Sequence, residues 1–493
     1  MTDAAAPVPD LSGIPASIPA TDPLAPYDAV LLLSYGGPRR PEDVLPFMRN
    51  ATAGRGVPDS RLLEVSGHYQ GFGGASPINA RNAELRDALQ ARLAERGSTL
   101  PIVVGNRNWH PFVSQALREL ADAGARRVLA LPTAAFGSYS GCRQYREDLA
   151  GAAALLAAGA DGSTGDGFEA DAAARVGGEG GAPVDLTVDK TRPYYNTPGL
   201  LEANVDAIVE AYGALAEQGV AAADVRLVLV THSIPLGMET GSAPTPESDG
   251  ASESAGAGQP AGRPAGPREP GVAADLSTEV SYVAQHRALA AILVPEVARR
   301  LGLEEVESDL VYCSRSGPPQ ARWLEPDVND HLEALAAGQL IDGSPADRPG
   351  GVVVAPFGFI SDHMEVVFDL DTEAAQTARD LGMPYARAAT VGTHPAFVDS
   401  LVDILIERAA VARGEDVHPA STTGVGPFHT VCPPSCCRSG THHPGRHSRH
   451  GADGATHESA TGHQPAAGGS CRPASAEPES LKPASCGRMK EKR

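Results

Sequence analysis

The sequence predicts an α/β protein of two lobes, each a parallel β-sheet flanked by helices, and three observations carry that prediction. Apolar runs without polar alternation recur at 27–38, 101–106, 126–136, 225–233, 309–317 and 350–359, the pattern of strands covered on both faces. Amphipathic stretches such as NAELRDALQARLAERG and HPFVSQALRELADAGA separate them. The runs give way to Gly, Ser, His, Cys and Tyr at the carboxyl ends of the strands, where sheets of this kind gather their ligands. Both lobes are therefore expected to be Rossmann-like, although their sequences show no convincing repeat.

Residues 1–26 are rich in Ala, Pro and Asp and predict a disordered segment, with neither the basic start nor the apolar core of a secretory signal. The first lobe spans 27–195, and its opening strand YDAVLLLSYGGP ends in glycines that allow a tight turn. Inside it, 157–187 is dominated by Gly, Ala and acidic residues. The second lobe spans 196–412 and contains 240–275, which has no aromatic residue and a single Val among large aliphatics. Neither segment buries enough apolar surface to offset its ordering entropy, so both read as flexible insertions. The second starts a few residues after His232, where it would serve as a mobile lid. A Cys- and His-rich tail, 413–493, follows the helix AFVDSLVDILIERAAVAR and is expected to be disordered apart from its cysteines.

Sixty-one acidic residues against 40 basic ones give a net charge of -21, which excludes a partner held mainly through phosphates and suits a metal cation. No apolar run reaches the roughly 18 to 20 residues that span a bilayer, and a cytoplasmic protein is expected. Seven cysteines in so long a chain, three of them in CPPSCC, suit metal or cluster ligation better than a disulfide framework.

Two segments carry chemistry. In VTHSIP, His232 ends a buried strand, where an imidazole accepts a proton near neutral pH, ligates a metal, or caps the turn. FGFISDHMEVVFDLDTEA (357–374) sets Asp362, His363, Glu365, Asp369 and Glu373 in close succession. On a continuous helix Glu365, Asp369 and Glu373 fall at i, i+4 and i+8 on one face, about 6 Å apart per step. Such a row is either a solvated stripe or a line of oxygen ligands for a weakly held divalent cation. There is no His-Glu-x-x-His and no paired Cys-x-x-Cys, so the set handles a metal rather than keeping one.

Together LSYGGP, GHYQGFGGASPIN, GNRNWHPF, SYSGCRQYRED, THSIP, YCSRSGPPQARWLEPD and APFGFISDHMEVVFDLD resemble the ferrochelatases, across most of 27–410. The nearest resemblance is to the actinobacterial coproporphyrin ferrochelatases with a [2Fe–2S] cluster, and it implies the class I chelatase fold. It implies that His232 and Glu365 are catalytic and meet the metal from opposite sides of the porphyrin. Asp369 and Glu373 would be the outer relay. Tyr35 resembles the tyrosine that approaches iron from the face opposite His232. His68, Tyr69 and Ser76 match the segment that holds the propionates, with His68 where the bacterial pattern often carries Arg. Tyr145 lies near another porphyrin-contacting tyrosine.

The implied substrates are Fe²⁺ and coproporphyrin III, giving coproheme for decarboxylation by a later enzyme, with transient contact between the two. Protoporphyrin IX, another metal and tetrapyrrole, and a non-catalytic haem or iron sensor are the competing readings. The resemblance also implies a [2Fe–2S] cluster on Cys142, Cys432, Cys436 and Cys437, with Cys471 or Cys486 able to replace one. Cys313 reads as a small buried hydrophobe. Eight of the 15 histidines fall between 418 and 463, as an iron-recruiting run or a polar spacer.

Overall fold

Strand β1 (Ala29–Ser34) is buried along its whole length, as a run of Ala, Val and Leu requires when both faces of the sheet are covered. It pairs in parallel with β2 (Ile102–Asn106) and β3 (Arg127–Pro132), and β4 (Thr187–Lys190) extends the sheet in the order β2-β1-β3-β4. In the second half β5 (Val225–His232), β6 (Ser308–Cys313), β7 (Gly351–Ala355) and β8 (Tyr385–Arg387) pair in parallel in the order β6-β5-β7-β8. Counted within each lobe, both sheets run second, first, third, fourth. The two halves share a topology that their sequences conceal, because burial on both faces demands only apolarity and not particular residues.

This computed structural model describes residues 19–53, 56–159, 182–242, 281–315, 321–433 and 436–438. The first-lobe helices are α1 (Val44–Ala51), α2 (Asp59–Gly71), α3 (Ile78–Glu95), α4 (Val113–Asp122) and α5 (Gln144–Ala157). The second has α6 (Pro198–Glu217), α7 (Leu236–Ser242), α8 (Tyr282–Leu301), α9 (Val328–Ala336), α10 (Met364–Phe368), α11 (Ala375–Asp380) and α12 (Pro395–Ala412). Among the described residues no helix is long and apolar enough to cross a membrane.

The six apolar runs are all strands. The two strands that carry no such run, β4 (TVDK) and β8 (YAR), are short edges with too few residues for a period to register. The lobes are not separately packed. Leu32 and Leu89 of the first share one core with Leu229, Phe357 and Leu405 of the second. Helix α12 lies against both α6 and α3, and Arg96 reaches Asp403 at 2.9 Å while Arg92 pairs with Asp399. At the α6–α12 crossing Gly199 donates its N–H to Ser400 Oγ at 2.9 Å, and a Cβ there would fall on the Ala396 carbonyl.

Two expectations of disorder change. Leu24 and Ala25 are buried, and Arg413 Nη1 donates to the Ala25 carbonyl at 2.6 Å, so 19–26 belongs to the body while 1–18 lies outside the described residues. The tail is fixed as far as 433: Asn196 Nδ2 donates to Ser421 Oγ, Thr423 Oγ1 and Gly426 O at 2.6–3.1 Å, and Phe428 is buried. Buried polar anchors hold a segment that has little apolar surface of its own, which hydropathy cannot reveal. Residues 160–181 and 243–280, most of both insertions and with them the lid, lie outside the described residues, although α5 and α7 extend to Ala157 and Ser242 and β4 begins at Thr187.

Candidate active site

Strand β5 delivers His232 to the carboxyl edge of the second sheet, beside Cys313 of β6. Its backbone is held from behind by a buried network. Thr231 Oγ1 lies 2.8 Å from both Tyr282 Oη and His286 Nε2, and His286 Nδ1 lies 2.7 Å from the Tyr282 carbonyl. Burial pushes His286 down to about 3, so its ring is neutral at physiological pH. Its Nδ1 faces a carbonyl and must be the donor, which leaves Nε2 to accept the Thr231 hydroxyl proton. The Tyr282 hydroxyl then sits 2.8 Å from Thr231 Oγ1 and 3.1 Å from the His232 carbonyl. Gly358 is required next to this network, since a Cβ there would fall on Thr231.

The front of His232 is different. Its Nδ1 is buried without a hydrogen-bond partner among the described residues and faces Glu365 Oε2 at 3.9 Å, so the two residues stand together on one side of the site and not on opposite sides of a porphyrin as the resemblance implies. His363 Nδ1 approaches the same oxygen at 3.7 Å, so one carboxylate stands between two imidazoles. Burial lowers the basicity of His363, with Glu365 opposing and His232 adding to the effect. His363 was visible in the acidic run but had no assigned role; the signal was its place two residues before Glu365.

The continuous helix expected for the acidic row does not form. Helix α10 stops at Phe368, a π-turn occupies Asp369–Ala374, and α11 resumes at Ala375. Glu365, Asp369 and Glu373 are therefore not the even ladder of an α-helix; the wider i→i+5 turn re-aims Asp369, as such turns often do at functional sites. Asp369 accepts a hydrogen bond from the Ser314 hydroxyl, and Ser314 holds φ 64°, a left-handed conformation that a non-glycine residue adopts at a cost. Burial pushes Asp369 up to about 7, against the Ser314 bond and with help from Glu365 and Glu373. Glu373 is also raised, chiefly by burial.

The sign of that shift gives a prediction. Folded Asp369 keeps its proton to about pH 7, whereas the unfolded chain loses it in the ordinary carboxylate range, so this residue lowers stability as pH rises between the two. Asp369→Asn should match the wild type in Tm at pH 4 and exceed it above pH 7, read by scanning calorimetry. A Tm difference that does not grow with pH contradicts the assignment.

The first lobe supplies the facing wall. Tyr69 of α2 feels Glu365, Tyr35 and Asp369, and burial followed by these charges keeps its phenol protonated. Phe47 joins Tyr35, Tyr69 and Trp109 through edge contacts at 6.0–6.4 Å. Tyr35, at the turn after β1, is 38% exposed. His68 stacks on Phe368 with ring centroids 4.0 Å apart, linking α2 to α10 beside the acidic row. Ser76 and Tyr145 are buried in the wall itself: Ser76 donates its N–H to the Pro38 carbonyl at 2.9 Å, and Tyr145 lies under the Arg107 guanidinium at 4.7 Å. Arg107 is in turn paired with Asp148.

The cysteines converge elsewhere. Cys142, on a π-turn (Tyr139–Arg143), clusters with Cys432, Cys436 and Cys437, and Cys436 Sγ lies 3.6 Å from Cys437 Sγ. Adjacent side chains of an extended chain point opposite ways. Cys437 escapes this through φ 53°, which lets neighbouring thiols share one site. Arg146 Nη1 donates to the Pro433 carbonyl at 3.0 Å, and Arg143 Nη1 to the Cys436 carbonyl at 3.3 Å, fastening the loop. Among the described residues all cysteines are free, and no three His, Cys, Asp or Glu side chains close to the geometry of a single metal ion. Cys313 is buried with its thiol pushed up by that burial, in keeping with a small hydrophobe. Cys471, Cys486 and the dense histidine run lie outside the described residues.

The family model described as Ferrochelatase matches residues 27–409. The coproporphyrin III ferrochelatase of Streptomyces coelicolor is 42% identical over 415 residues, covering 84% of this chain and 94% of that protein. Its counterpart in Streptomyces griseus subsp. griseus is 43% identical over 413 residues, with the same coverage, and that of Mycolicibacterium smegmatis is 38% identical over 414 residues, 83% of this chain and 99% of that one. Among solved structures, SirB from Bacillus subtilis with Fe3+ aligns with a TM-score of 0.38 at 12% identity, over 78% of this chain and 97% of that one. Matched along almost its whole described body, the chain belongs to the ferrochelatase family.

Proposed function

We propose that this ferrochelatase inserts Fe²⁺ into coproporphyrin III in the cytoplasm, releasing two pyrrole protons and giving Fe-coproporphyrin III. The observation that carries the chemistry is the unpartnered, buried His232 Nδ1 facing Glu365. A porphyrin between the lobes would present its N–H groups to a base with no competing hydrogen bond, and His232 takes a proton there. Glu365, flanked by His363, receives iron stripped of water, and Asp369 and Glu373 form its outer approach. Burial, which pushes the Asp369 carboxyl up to about 7, supports a role in which it holds a proton before iron arrives and gives it up as iron passes. Tyr35 would reach the metal from the opposite face. His68 and Tyr69 line the propionate end directly, while Ser76 and Tyr145 shape it from within the wall. The named relatives act on coproporphyrin III, which supports the tetracarboxylate as substrate. Fe-coproporphyrin III would pass to a decarboxylating enzyme by transient contact.

Cys142, Cys432, Cys436 and Cys437 fit a [2Fe–2S] cluster: four thiols meet at one buried site, with no disulfide between them. When bound, the cluster ties the tail to the first lobe and can take up one electron. Chemical assay for iron and acid-labile sulfide tests its presence.

Anaerobic turnover with Fe²⁺, offering coproporphyrin III and protoporphyrin IX in parallel, tests the main reading. Faster metallation of coproporphyrin III is expected. Preference for protoporphyrin IX overturns the substrate, and binding without metallation favours a sensor.

A further inference from the structure

The first-lobe sheet ends at Lys190, whose ammonium approaches the thiol site rather than solvent. Alternation along β4 places Val188 and Lys190 on one face, with Val188 packed on the core under α5, and Asp189 on the other, where it receives the Tyr27 hydroxyl and Arg408. The sheet's own pleat thus turns Lys190 inward. Its Nζ donates to Cys142 Sγ at 3.3 Å and to the Thr191 carbonyl at 2.7 Å. Among the described residues it makes no ion pair with a carboxylate, and the charges that act on it are those of Cys142, Cys432 and Cys437. A buried ammonium without a counter-charge is costly, so the sulfurs are its partner. Arg143 and Arg146 also stand at the site, where their guanidinium groups donate to backbone carbonyls of the ligand loop and, for Arg143, to Glu147. The Lys190 ammonium is a charged group that donates directly to a cysteine sulfur.

Resting on the cluster reading above, we propose that Lys190 is the charge-compensating residue of that site and sets its reduction potential. On reduction one ferric iron becomes ferrous by gaining one electron; no bond breaks, and the cluster becomes one unit more negative. A fixed cation in a water-poor site stabilises the more negative state further, and a hydrogen bond to the sulfur acts in the same direction. Lys190 therefore raises the potential. A second consequence follows from the same contact: the thiolate of Cys142 is held in its ligating form beside a cation, which favours assembly.

The test is a redox titration with dithionite as electron donor, followed by visible absorption and electron paramagnetic resonance, on the full chain and on Lys190→Met. Iron and sulfide content is measured first. With the cluster present in both, the Met variant should show at least a tenfold lower ratio of reduced to oxidised cluster at a given potential, equivalent to a midpoint lower by about 59 mV for one electron. Lys190→Arg should return toward the wild type. If Lys190→Met fails to fold or to hold the cluster, Lys190→Gln, which keeps a donor but loses the charge, is titrated in its place. An unchanged midpoint in a neutral variant that retains the cluster overturns the proposal while leaving the cluster reading intact. Wild-type protein without iron and sulfide overturns both.

Discussion

His232→Ala should lower kcat for iron insertion by about 10²–10⁴-fold, the range in which a positioned general base contributes. The side chain is partly exposed at the mouth of the site, and the network of Thr231, Tyr282 and His286 grips the strand through groups other than the His232 ring. Stability should therefore change little, with Tm shifting by no more than a few degrees. Glu365→Gln, which keeps the shape and removes the charge, should also lose most of kcat. Because both groups face the same reacting centre, the double variant should be only slightly worse than the poorer single one. Stopped-flow absorbance of porphyrin metallation under anaerobic conditions measures all three. Activity within tenfold of wild type in His232→Ala would remove the base from the mechanism, and fully multiplicative losses would mean that the two residues act in separate steps.

The largest effect on stability is expected at a residue with no side chain. Gly199→Ala places a Cβ on the Ala396 carbonyl, backbone that cannot swing aside, and within 2.7 Å of Ser400 Oγ. Relief requires α6 and α12 to separate, which would also strain the contacts of α12 with α3. Overpacking costs about 1–3 kcal/mol and more where the obstacle is main chain, so a loss of about 3 kcal/mol or greater is expected, visible as a lower urea midpoint with an unchanged slope. Gly213, on the same helix with open space around its Cβ position, is the control: Gly213→Ala should be neutral or stabilising. Equal behaviour of the two would show that the crossing is looser than its geometry indicates.

What the sequence made legible divides along the range of the interactions. Strands β1, β2, β3, β5, β6 and β7 announce themselves by local composition, His232 by its place at the end of a strand, and Glu365 by its place in an acidic run. The pairs His363–Glu365 and Ser314–Asp369 could not be read as pairs: the first is too close in sequence to suggest a contact, and the second joins residues 55 apart. The π-turn at Asp369 is likewise invisible, because propensity does not distinguish it from the α-helix that surrounds it. Asn196 and Arg192 fasten the tail from residues more than 200 positions upstream, and a Gly-, Pro- and His-rich composition predicts no such order. Adjacent side chains of an extended chain diverge, which makes a shared site for Cys436 and Cys437 hard to read from sequence. The left-handed backbone at Cys437 permits that site, a conformation that no residue type but glycine foretells.

Helix α12 ends the ferrochelatase body, yet it covers α3 from the first lobe as well as α6 from the second. During synthesis the N-terminal lobe therefore emerges without part of its covering. Until α12 leaves the ribosome, the surfaces of α3 and α6 that it seals remain open to chaperones and proteases. Chains that stop early should thus be marked for removal rather than persist as half-built enzymes able to hold a photoreactive pigment.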